Sequence, residues 1–63
     1  MSLDKPRFVI YEDVGGNYRW YLQAVNGEKV AASEAYVSKQ DAIDSAFRVQ
    51  QIAHMANVVD STR

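Results

Sequence analysis

The sequence predicts an α+β fold: a three-stranded antiparallel meander sheet packed on one C-terminal helix, with residues 57–60 as a candidate short fourth strand. Three observations carry it. Two runs rich in β-branched and aromatic residues, 7–12 and 18–24, flank the turn-former cluster Asp13-Val14-Gly15-Gly16-Asn17. A second turn signal, Asn26-Gly27, leads into residues 28–33. From Ala42 to Ala56 apolar residues then recur at three- and four-residue intervals. At 63 residues the chain is expected to be a single domain, with a lead-in at residues 1–6 and a core over about residues 7–60.

The first strand is Arg7-Phe8-Val9-Ile10-Tyr11-Glu12, with Pro6 placed just before it rather than inside it. Alternate residues of a strand share a face, so register decides what is buried. Setting Glu12 opposite Tyr18 places Ile10 across from Trp20 and Phe8 across from Leu22. The Asn-Gly turn admits two readings. A two-residue loop pairs Val25 with Glu28 and turns Lys29 toward the core. A three-residue loop with Gly27 in the left-handed conformation pairs Ala24 with Glu28 and keeps the apolar patterns in phase. On this second reading the core face carries Phe8, Ile10, Tyr18, Trp20, Leu22, Ala24, Val30 and Ala32. The outward face carries Arg7, Val9, Tyr11, Arg19, Tyr21, Gln23, Lys29, Ala31 and Ser33.

Residues 34–37 read as a connection. Ser38 is a good N-cap, and Asp41, three residues on, can reach back in the manner of a capping box. The helix that follows has Ala42, Ile43, Ala46, Phe47, Val49, Ile52, Ala53 and Ala56 as a broad apolar stripe, expected to cover the core face, with Lys39, Gln40, Asp44, Arg48 and Gln51 opposite. The pattern stops between His54 and Asn57. Asn57-Val58-Val59-Asp60 then has strand-like composition without an evident partner in the chain, which suits pairing with a sheet edge of the same or a neighbouring protomer.

These pieces carry a family resemblance. Phe8-Val9-Ile10-Tyr11, Tyr18-Arg19-Trp20 with Leu22, Ala24-Val25-Asn26-Gly27-Glu28, Ser33-Glu34-Ala35-Tyr36 and Ser38-Lys39, in this order and spacing, resemble the YegP-like family of small bacterial and archaeal proteins. The resemblance spans roughly residues 8–60. It implies a three-stranded antiparallel sheet with a helix, found in that family as tandem repeats in one chain or as single-copy chains that associate. It implies no activity, since none is established for the family. Ala35 stands where a Gly is usual, so the backbone after the third strand is expected to differ there.

Composition narrows the chemistry. A chain this short buries only about 60% of the surface its unfolded form exposes. With no Cys and one His it has neither a disulfide nor a metal-ligand set, and no metal or cofactor is expected. Small domains without such staples often oligomerise, and a homodimer is expected. The formal net charge of −1 argues against strong general attraction to nucleic acid. No apolar run is long enough for a membrane span or a signal peptide, so a cytoplasmic protein is the expectation.

No catalytic set emerges. Asp44 and His54 lie ten positions apart, about 280° around a helix axis, and no Ser is placed to join them in a triad. His54 suits a helix C-terminus or the surface. Glu12, Asp13, Glu28 and Glu34 sit in or near turns, where solvation accounts for them. Gly15-Gly16 has no phosphate-loop spacing and precedes a strand.

The outward face is the candidate site: Arg7, Tyr11, Arg19, Tyr21 and Lys29 would bring two aromatic rings beside three cations. Such a surface suits stacking and phosphate contact with single-stranded nucleic acid, or a small ligand. The plainer reading is a dimer interface, or cross-strand pairs that hold a small sheet together. The ranking is therefore a homodimeric interaction or structural module first, a weak nucleic-acid or small-ligand binder second, and an enzyme last.

Overall fold

The structure, a computed structural model, describes residues 4–62. Strands β1 (Arg7–Glu12), β2 (Tyr18–Gln23) and β3 (Lys29–Ala32) form one antiparallel sheet in the order β1-β2-β3, followed by helix α1 (Lys39–Ala53). The α+β meander expected from the sequence is what forms. Residues 1–3 of the expected lead-in lie outside the described residues.

The first hairpin is built by Asp13. Its Oδ1 accepts the backbone N–H groups of Gly15 (2.9 Å) and Asn17 (3.0 Å), an Asx turn that closes the loop from a side chain. Its own N–H donates to the Asn17 carbonyl at 2.8 Å, and Gly16 takes the positive φ of 83° that the turn requires. The expected register follows: Glu12 opposite Tyr18, Ile10 opposite Trp20, Phe8 opposite Leu22.

The second hairpin resolves the Asn-Gly alternatives. Ala24 N–H donates to the Glu28 carbonyl at 2.7 Å, and Gly27 N–H donates to the Ala24 carbonyl at 2.9 Å. Gly27 sits at φ 90°. This is the three-residue loop with a left-handed glycine, and it keeps Lys29 on the outward side, opposite Gln23.

Beyond that pair the expected register fails by one residue. Leu22 pairs with Ala31 and Tyr21 with Ala32, so Val30 is an extra residue in β3. Val30 and Ala32 therefore do not belong to the core face as expected; Ala31 and Ser33 align with the residues of that face, and Val30 is 55% exposed. A serine hydroxyl explains how the ladder continues. Ser33 N–H donates to the Trp20 carbonyl at 2.9 Å, while Ser33 Oγ accepts Trp20 N–H at 2.9 Å and donates to the Glu34 carbonyl at 2.8 Å. A side-chain oxygen thus takes the place of a backbone carbonyl, and the main chain is free to shift. It returns at Tyr36, which exchanges two backbone hydrogen bonds with Tyr18 at 2.7 and 2.8 Å. Residues 34–37, expected as a plain connection, thus include one further bridge to β2.

Ser38 caps α1 from an extended conformation (φ −105°, ψ 136°), its Oγ accepting the Asp41 N–H at 3.3 Å. Ala42 is wholly buried and Ala46 nearly so (6% exposed), small side chains that let the helix approach the sheet closely. Opposite them Trp20 is 5% exposed, with Phe8 edge-on to it at 5.2 Å and 73° between ring planes. The helix packs against β2 and β1 and leaves β3 uncovered. The apolar stripe is consequently broader than the contact it makes. Phe47 (60% exposed) and Ile52 stand open, as do Ala53 and Ala56, against the expectation that the whole stripe covers the sheet.

Residues 57–60 form no bridge to the sheet, and Val58 and Val59 are open to solvent. The radius of gyration is 13.4 Å, against about 11 Å for a compact chain of this length. The accessible surface is 5341 Å², where a compact protein of 7.1 kDa shows about 4,100 Å².

Candidate functional site

The register brings all five residues singled out in the sequence onto one face. Tyr11 lies opposite Arg19, Val9 opposite Tyr21 and Arg7 opposite Gln23, on the side of the sheet away from Trp20 and α1. Lys29 joins them because the bulge falls after it, not before. Tyr11, Tyr21 and Lys29 form a diagonal across the three strands. The two rings have centroids 5.8 Å apart at 53°, and the Lys29 ammonium stands 4.3 Å from the centre of the Tyr21 ring, a cation–π contact.

Two residues that sequence reasoning did not assign to the site hold its arginines. Gln23 Oε1 accepts Arg7 Nε–H at 3.1 Å, and Gln23 Nε2 in turn donates to the Gly27 carbonyl at 2.9 Å, so the second turn orients the first strand's arginine. Asp13 Oδ2 accepts Arg19 Nε–H at 2.8 Å. The signal for Gln23 was its position opposite Arg7 in the expected register. The signal for Asp13 was its place one residue past the strand, where a carboxylate can reach across the hairpin. The Arg19 guanidinium holds the Asp13 carboxyl below the ordinary carboxylate value, helped by the backbone N–H groups of Asn17 and Gly15. The same bond pushes Arg19 up. The pair engages Arg19 through Nε alone, leaving its two terminal nitrogens for other acceptors on a side chain that is 41% exposed.

The face offers rings and cations but no nucleophile paired with a base. Among the described residues no group of three or more His, Cys, Asp and Glu is placed to hold a metal, and none of their helices is long and apolar enough to cross a membrane. Asp44 bonds Gln40 at 2.9 Å, and His54 caps the far end of the same helix with its backbone, so the two are not brought together.

A second surface lies on the other side of the sheet. A groove of about 250 Å³ runs between β1 and α1, lined by Phe8, Ile10, Ile43, Ala46, Phe47 and Gln50. It is mostly apolar, with Gln50 as its one polar side chain, and borders an edge strand. Farther along, Ile52, Met55, Val58 and Val59 are exposed apolar residues from the end of the helix onward. The groove was not foreseen from the sequence, because the stripe alone does not say which of its residues the sheet leaves bare.

The family described as Domain of unknown function (DUF1508) matches residues 13–60. A UPF0339 protein of Agrobacterium fabrum is 38% identical over 56 residues, which is 89% of this chain and 90% of that protein. A UPF0339 protein of Methanosarcina acetivorans is 36% identical over 53 residues, 84% of this chain and 91% of the relative. Among solved structures, the NMR solution structure of a protein from Haloferax volcanii covers 94% of this chain and the whole of its own, at 33% identity and a TM-score of 0.80. With bacterial and archaeal relatives matched nearly end to end, and with the fold shared, the chain belongs to the DUF1508 family, the UPF0339 or YegP-like proteins, whose function is unknown.

Proposed function

We propose that this protein is a non-enzymatic homodimeric interaction module, in which the C-terminal segment of each chain lies along β1 of the other. The observation that carries the reading is the surplus of surface: 5341 Å² in all, roughly 1,200 Å² above a compact monomer. A standard interface needs only about 800 Å² from each partner. The surplus is apolar where it matters. Phe47, Ile52, Met55, Val58 and Val59 all stand open, beside or beyond a groove that the protomer's own side chains do not fill.

The segment and the groove are complementary in chemistry. β1 is an edge strand with unpaired backbone groups, the usual template for strand addition. Residues 57–60 are outside any ladder and supply two valines. Because both copies offer the same segment and the same edge, a two-fold exchange closes on itself and leaves neither end over.

Light scattering across a dilution series tests this on the natural chain, on a chain ending at Ala56, and on Tyr21→Ser. The reading expects a mass of twice 7.1 kDa for the natural chain and for Tyr21→Ser, and the monomer mass for the truncated chain. A natural chain that is monomeric at every concentration overturns it. A truncated chain that still dimerises overturns the role given to the C-terminal segment.

A further inference from the structure

We propose that the outward face of the sheet binds single-stranded nucleic acid, with the Tyr11 ring as the stacking platform and Arg7, Arg19 and Lys29 as phosphate contacts. The proposal concerns the side of the sheet opposite the groove and goes beyond the assembly proposed above.

The first argument is charge. The strand residues of this face supply three cations, and the carboxylate bonded to one of them is Asp13, which leaves this set two charges positive on a chain whose formal net charge is −1. The positive charge is therefore concentrated on one surface while the remainder of the molecule is acidic. A ligand drawn to this face is an anion, and one drawn only to this face is bound locally rather than by overall attraction.

The second argument is the rings. Tyr11 is 40% exposed and lies on the face where no helix packs, so its ring does not serve the core. Tyr21 stands 5.8 Å from it with the Lys29 ammonium over its own ring. An exposed ring with a neighbouring ring as backing and a cation beyond it suits a base stacked on Tyr11 and a phosphate at Lys29. Every base has a π-face, so such a platform takes unpaired bases with little regard to sequence. In a duplex the same faces are already stacked on one another.

The third argument is preorganisation. Arg7 is held by Gln23 at 3.1 Å and Arg19 by Asp13 at 2.8 Å, each through Nε. Both anchors leave the terminal nitrogens for a second acceptor, and both reduce the side-chain freedom that binding would otherwise cost.

The test is fluorescence anisotropy of an end-labelled fifteen-nucleotide oligothymidylate at low salt, with amide shifts followed by NMR on the assembled protein. The proposal expects shifts centred on Tyr11, Arg19, Tyr21 and Lys29, and an affinity that falls with salt at a log–log slope of about −2, set by two to three phosphate contacts. Tyr11→Ser should weaken binding by roughly tenfold or more, as loss of a stacking platform does. Lys29→Gln should make the salt slope shallower by about 0.7. Light scattering and the thermal melt, unchanged in both variants, show that fold and assembly are intact. Absence of binding, shifts confined to α1 or residues 54–62, or equal affinity for inorganic polyphosphate or for a duplex of the same length would each overturn the proposal.

Discussion

The indole Nε1–H of Trp20 donates to the hydroxyl of Ser45 at 3.1 Å, joining the most buried large side chain of the sheet to the helix that covers it. The same hydroxyl accepts the phenol of Tyr36 at 2.8 Å. One serine thus satisfies two ring donors, one from β2 and one from the connection after β3, and it does so beside a core that contains few fully buried residues.

Ser45→Ala removes the one oxygen that accepts both bonds while barely changing volume. Trp20 Nε1 then has no partner, and an orphaned donor costs about 1–3 kcal/mol. Tyr36 is only half-buried and can turn its hydroxyl to water. A net loss of about 2 kcal/mol should lower Tm by roughly 8–16 °C in a domain of this size. Thermal melts of the two proteins check it, and a melt unchanged within a degree would show that the bond contributes nothing net.

Ala42 is wholly buried where α1 meets the sheet, so the site has no spare volume. Ala42→Leu should force the helix outward and cost about 1–3 kcal/mol, the usual effect of overpacking. Ala42→Ser keeps the size and should cost less. Urea midpoints at constant slope separate the two; a leucine variant as stable as the natural protein would mean that the helix is not held at this distance by packing.

Gly27 adopts φ 90° with nothing within 4 Å of the place a Cβ would occupy. The cost of a side chain there is therefore conformational alone. Gly27→Ala should lose about 1–2 kcal/mol, the penalty of the left-handed region for an L-residue, and Gly27→Asn less, since Asn tolerates that region. Equal losses for the two would indicate that the turn changes type instead of straining.

How much of this was legible in the sequence depends on the range of the interaction. Glu12 opposite Tyr18, the Gly27 turn and the Ser38 cap are local, set by residues within a few positions, and all were readable. The bulge at Val30 was not: it shifts the pairing of two strands, and it is accompanied by the Ser33 hydroxyl bonding the Trp20 backbone thirteen residues away, a contact that no local pattern announces. The Tyr36 bridge to Tyr18 escaped for the same reason. Within the candidate site, the alternation of β1 and β2 was enough to bring Arg7, Tyr11, Arg19 and Tyr21 to one face, and Lys29 followed once the turn was chosen correctly. The exposed half of the helical stripe could not be read, since periodicity identifies an apolar face but not the width of the sheet that meets it.

Asp13 links the first turn to pH. Its folded carboxyl titrates below the ordinary value because Arg19, and then the N–H groups of Asn17 and Gly15, bond its ionised form. The unfolded chain therefore binds the proton more readily, and stability rises with pH across that interval. The contribution is complete above the unfolded value of about 4 and is lost as pH falls through the lower folded one. Asp13→Asn keeps an oxygen acceptor for the turn but removes the charge. It should lower stability at pH 7 and flatten the decline between about pH 4 and pH 2. Asp60 is also shifted down, but by Thr62 only two residues on, a contact equally open to the unfolded chain, so Asp60→Asn should leave the profile unchanged. Urea unfolding of the three proteins at several pH values decides it: parallel profiles for Asp13→Asn and the natural chain would show that the Asp13–Arg19 bond, though short, does not distinguish folded from unfolded.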